Sequence, residues 1–104
     1  MAIQDKISFD DMLTKNIILN WENVIPKITD DDLLGTIKLE GVEAKKYMFD
    51  LEGFLITRNI VKEFIYPIIR INGFYSSTDY DGKDIELKII DAGILTKYYT
   101  LFND

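Results

Sequence analysis

Three groups of side chains in this chain have the types and spacing for chemistry, and each points to a different kind. Ser77-x-Asp79-x-Asp81-Gly82 sets oxygen donors at alternate positions ahead of a glycine, as the start of a calcium-binding loop does. Asp30, Asp31 and Asp32 stand in a row, a concentration of charge suited to a magnesium ion or an arginine-rich partner. Tyr75, Tyr80, Tyr98 and Tyr99 offer broad amphipathic rings, which bring large contact area to protein interfaces at little entropic cost.

The first two fail as metal sites. Counted from Ser77, the twelfth loop position is Lys88, where a calcium loop needs a bidentate glutamate, and the flanks read as strands rather than helices. A polar hairpin tip whose aspartates support the turn is the preferred reading. Three consecutive aspartates point in different directions, so Asp30 to Asp32 read as a solvated cap or an acidic contact patch. No metal ligand and no cofactor site is therefore expected.

Catalysis has little to draw on. The chain holds no histidine and no cysteine, which removes the side chain that titrates near neutrality, the thiol nucleophile and the thiolate metal site. Ser8, Ser76 and Ser77 sit in no nucleophile-elbow context, and the six glycines never cluster into a phosphate-cradling loop. Carboxylates are so plentiful that any acid pair could be picked out, which makes the pairing uninformative. No catalytic residue is assigned, and the chain is expected not to be an enzyme.

A net charge of −6 opposes direct binding to nucleic-acid backbones and favours basic protein partners. The imbalance lies in the first half: residues 1–52 carry 11 acidic and 6 basic side chains, against 7 and 6 in 53–104. Mimicry of DNA would need a denser acidic array than this. No apolar run reaches the roughly 18 to 20 residues that cross a bilayer, and the first residues lack a signal-peptide core, so the expected location is the cytoplasm.

At 104 residues the chain fits one domain, taken as 1–104. Ser8 and the acids Asp10 and Asp11 signal a helix start, and Phe9, Met12, Leu13, Ile17, Trp21 and Val24 share one stripe, which predicts a helix from Phe9 to Asn23 that ends before Pro26. Thr29 to Gly35 reads as a capped single turn or an acidic loop. Thr36 to Glu40 and Lys46 to Leu51 alternate as half-buried strands do. Ile56, Ile60, Val61, Phe64 and Ile65 recur at helical spacing, predicting a short second helix that stops at Tyr66-Pro67. Ile68–Ser76, Ile85–Asp91 and Ile94–Phe102 are rich in β-branched and aromatic residues and are separated by Asp81-Gly82 and Ala92-Gly93, which predicts a three-stranded antiparallel meander. The expected fold class is α+β: an N-terminal helix and a short second helix packed on an antiparallel sheet with a C-terminal three-stranded meander.

Tyr66 to Gly73, followed by Asp84 to Asp91 and Gly93 to Thr96, resembles a strand pattern of small bacteriophage tail and baseplate proteins, in which such strands build rings by subunit contact. The resemblance implies a structural or assembly subunit of a phage particle, found in the host cytoplasm or the virion, whose partners are other protein subunits, further copies of itself included. The acidic first half supports an alternative, a small inhibitor such as an immunity or anti-defence protein that blocks a basic surface. The expected contact residues are Tyr75, Tyr80, Tyr98 and Tyr99 under the first reading, and Asp30, Asp31 and Asp32 under the second.

Overall fold

The computed structural model describes residues 15–102. The helix start expected around Ser8, Asp10 and Asp11 lies outside them. Among the described residues the fold is α+β, with five helices and a two-stranded antiparallel sheet.

Helix α1 (15–24) buries Trp21 and Val24 and half-buries Ile17, one stripe at helical spacing, and closes in a 3-10 turn, Ile25–Lys27, that contains Pro26. Strand β1 (Leu33–Leu39) follows. Helix α2 (Gly41–Lys46) and helix α3 (Leu51–Thr57) come next, then helix α4 (Lys62–Ile71). Strand β2 (Ile85–Ile90) and helix α5 (Ala92–Leu101) complete the order. β1 and β2 pair with Ile37 opposite Leu87 and Thr36 opposite Lys88, and a bulge falls between Leu33 and Gly35.

The predicted meander is not formed: of its three segments only Ile85–Ile90 is a strand. Ile68–Ile71 continues α4 through Pro67. A proline inside a helix removes one backbone bond and costs about 3 kcal/mol. Here Ile65, Pro67, Ile68 and Ile69 are all buried, and each large aliphatic group buried contributes about 1.5–3 kcal/mol, so packing outweighs the break. Ala92-Gly93 is not a hairpin turn but the first turn of α5. Asp91 accepts from the Gly93 amide at 2.7 Å, a side-chain cap that converts the following β-branched and aromatic run to helix.

Lys46–Leu51, expected as a strand, holds the end of α2, a turn and the start of α3. Its turn is fixed by Phe49, which adopts φ 63° and donates its amide to the Tyr80 carbonyl at 2.8 Å. Asp50 then caps α3, accepting from the Gly53 amide at 3.0 Å. A Cβ at Gly53 would meet the Asp50 carboxylate, so a side chain there would require that carboxylate to shift.

One core joins the layers. Trp21, Leu39, Leu51, Phe54, Leu55, Ile68, Leu87, Ile90 and Leu95 are sealed from solvent, and no charged or polar residue among those described is buried with them. Asn72 locks α4 to the sheet. Its amide nitrogen donates to the carbonyls of Ile68 (2.8 Å) and Lys88 (2.9 Å), and its oxygen accepts from the Lys88 amide at 2.7 Å.

Candidate functional site

A groove of about 590 Å³ lies between α1 and α4, with Tyr75–Ser77 also lining it. Its walls are apolar: Ile17 and Ile18 from α1, Ile65, Tyr66 and Ile69 from α4, and Tyr99 from α5. Glu52, Lys62, Glu63, Ser76 and Ser77 form the polar rim. A few polar groups around an apolar concavity of this size is the usual make-up of a binding site.

An aromatic cluster supports the floor. Trp21, fully buried, stacks on Tyr99 at 6.2 Å and 18° and meets the rings of Phe102 (4.8 Å, 84°) and Phe64 (6.4 Å, 89°) edge to face. Its Nε1 is buried without a hydrogen-bond partner.

Tyr75 stands on the rim with 76% of its surface exposed. Arg70 holds it in place. The guanidinium lies 4.5 Å from the centre of the Tyr75 ring, its Nε donates to Glu22 Oε1 at 3.1 Å, and Nη1 donates to the Phe74 carbonyl at 3.4 Å. Below, the Asp79 carboxylate accepts from the amides of Tyr75 and Ser76, both at 3.0 Å, and fixes the backbone that carries the ring. Burial pushes the Tyr66 phenol above its ordinary range, and the Glu22 carboxylate adds to this against the opposing pull of Arg70. Tyr66 is therefore a neutral hydrogen-bonding group at the groove wall through the physiological range.

Of the other expected site residues Tyr99 lines the same groove, and the rest fall apart from Tyr75. Tyr80 is a correction: its ring is fully buried, edge-on to Phe74 at 6.1 Å, and its hydroxyl donates to the Lys83 carbonyl at 2.6 Å. Burial, with Asp81 and Asp84 nearby, raises its phenol as well. Tyr98 and Tyr99 fall in the segment expected as the last strand of the meander. On α5 both are half-buried, and Tyr99 packs on Trp21. Asp30 and Asp31 are exposed, whereas Asp32 folds back on Thr29 and accepts from its amide at 2.9 Å, closing a capped 3-10 turn. In the Ser77–Gly82 segment Asp79 caps a similar turn. Asp81 accepts from the Lys83 amide at 3.1 Å, a bond that, with the Lys83 ammonium, holds its carboxyl below the ordinary range. Both carboxylates serve the backbone, and among the described residues no group of three or more acidic side chains is arranged to hold a metal ion.

Comparison with protein-family models, curated proteins and solved structures found no match. Of the segments expected as strands from Tyr66 onward, Ile85–Ile90 is a strand, while Tyr66–Ile71 and Gly93–Thr96 are helical. The groove itself has no sequence signature, because it exists only where α1 and α4 meet. The one signal was Arg70 four residues before Phe74-Tyr75, a cation within reach of a ring.

Proposed function

We propose that this protein is a non-enzymatic contact subunit whose groove between α1 and α4 receives apolar side chains of a partner protein. The observation that carries the reading is Tyr75: a ring three-quarters exposed at the mouth of an apolar groove, yet immobilised by Arg70 and by Asp79. Pre-ordered aromatic groups beside desolvated apolar walls are where binding energy concentrates in protein interfaces. Glu52 and Glu63 outnumber Lys62 on the rim and the chain carries −6, so the partner segment is apolar with basic flanks.

A structural or assembly subunit of a phage tail or baseplate is one setting for such a contact, with the protein in the host cytoplasm or the virion. Among the described residues no helix is long and apolar enough to cross a membrane. A second reading, a small acidic inhibitor of a basic surface, draws on Asp30 and Asp31, which stay exposed and unengaged by the turn they belong to.

Sedimentation of the tagged protein from cells that make it separates the two. Under the contact reading Tyr75→Ala and Ile18→Ala shift the protein from a large assembly to the free fraction, and the double variant Asp30→Lys/Asp31→Lys does not. The reverse pattern favours the inhibitor. Asp32 is left intact because its loss would also remove a cap worth about 1 kcal/mol.

A further inference from the structure

The two outer edges of the β1–β2 ribbon are finished differently. At β2 the Lys88 amide and carbonyl both point away from β1 and are taken by the Asn72 side chain, which occupies the place of a neighbouring strand. In an antiparallel ladder, residues directly opposite each other turn their backbone groups the same way, inward or outward, and the direction alternates along the strand. Thr36, opposite Lys88, and Lys38, opposite Glu86, therefore present their amides and carbonyls on the outer side of β1. The sheet has two strands, so among the described residues no third strand pairs with that side. The side chains of Leu34, Thr36 and Lys38 are exposed as well.

Charge brackets this edge. Asp30 and Asp31 lie exposed just before β1, and Glu40 lies exposed just after it, beside Asp84, which accepts from the Gly41 amide at 2.9 Å. We propose that the outer edge of β1 takes an extended segment of a partner protein as a third strand, one uncharged in its middle and bearing Lys or Arg at both ends. From Asp31 to Glu40 an extended chain runs about 30 Å at about 3.3 Å per residue, which sets the separation of the basic groups. Lys38 disfavours a basic residue in the middle. The bulge at Leu33/Gly35 and Lys38 also discourage indiscriminate edge pairing, so the guest must match in charge. A second copy does not match. Antiparallel pairing of two β1 edges sets Asp30 and Asp31 of one against Glu40 of the other, like charge against like. This edge is separate from the groove and needs no occupant there.

The test is amide hydrogen exchange by NMR on the full chain, with the peptide KKTVTVTVTKK and its acid-ended counterpart EETVTVTVTEE. The basic-ended peptide should slow exchange at Thr36 and Lys38 about tenfold, less at high salt, and the acid-ended peptide should leave both unchanged. Thr36→Pro, which deletes an outward amide without touching the ladder to β2, should abolish the effect while Ile37 and Leu39 keep their slow exchange. Tyr75→Ala should leave it intact. The proposal is overturned if neither peptide slows Thr36 and Lys38, if both slow them equally, or if the two amides are already slow in free protein whose molar mass is that of a dimer.

Discussion

The groove between α1 and α4 and the outer edge of β1 are both unfinished surfaces, but they lack different things. The groove lacks apolar neighbours: its isoleucines and Tyr66 already satisfy their backbones within helices, and what they gain from a partner is area removed from water. The edge lacks hydrogen-bond partners, while its apolar side chains are few and its ends are acidic. Apolar burial is non-directional and nearly indifferent to salt, whereas strand addition fixes register and responds to charge. A chain with both can hold one partner tightly and still discriminate among others, provided the two surfaces answer to separate mutations.

The largest effect should come from making the ribbon's two edges alike. Asn72→Ala frees the Lys88 backbone and removes the tie between α4 and β2, and urea denaturation should show a loss of about 2 kcal/mol. A loss within about 0.5 kcal/mol would mean that Asn72 is not what separates the sealed edge from the open one. Next, Tyr75→Ala should leave stability within about 0.5 kcal/mol yet weaken the partner complex about tenfold or more, because the ring is anchored but makes little of the core. Asp30→Lys/Asp31→Lys should change affinity at the groove by less than about threefold while flattening the salt dependence of association, which stopped-flow mixing at two ionic strengths would read.

The smallest effect is alkaline. Tyr66 at the groove and Tyr80 in the core both have phenols raised from 10.0, so their contribution to stability is whole below that value and is lost as pH rises through the folded-state values. Thermal melts above pH 10 should therefore decline, less steeply in Tyr66→Phe. Equal decline in the two proteins would contradict the burial assigned to Tyr66.

Where the sequence was legible, one face of an element decided the pattern. Lys38 and Glu86, flanked by Ile37 and Leu39 and by Ile85 and Leu87, alternate as strands with one covered face must, and Trp21 and Val24 follow the stripe of α1. Ile68–Ile71 and Ile94–Phe102 were not legible because β-branched and aromatic content does not separate a buried helix from a strand. What decides them is a cap at Asp91 and the docking of Pro67 in the core, both tertiary in consequence. The tyrosines followed suit. In a strand, side-chain alternation turns one of each adjacent pair outward. That holds for Phe74 and Tyr75, although no strand is there, and fails for Tyr98 and Tyr99, which share a helix and both pack. Tyr80 was read as a contact residue, yet its hydroxyl finds the Lys83 carbonyl and its ring is buried whole.

The groove beside Tyr75 is the proposed seat of another protein. The most direct measurement places a photo-crosslinking phenylalanine analogue at position 75, and in a parallel protein at Val42, which is 87% exposed on α2 and away from the groove, in cells that make the protein. With a partner in the groove, position 75 gives one discrete crosslinked product, lost when Ile18→Ala is added, and position 42 gives none. Equal products from both positions, or a product from 75 that Ile18→Ala leaves unchanged, would contradict the proposal.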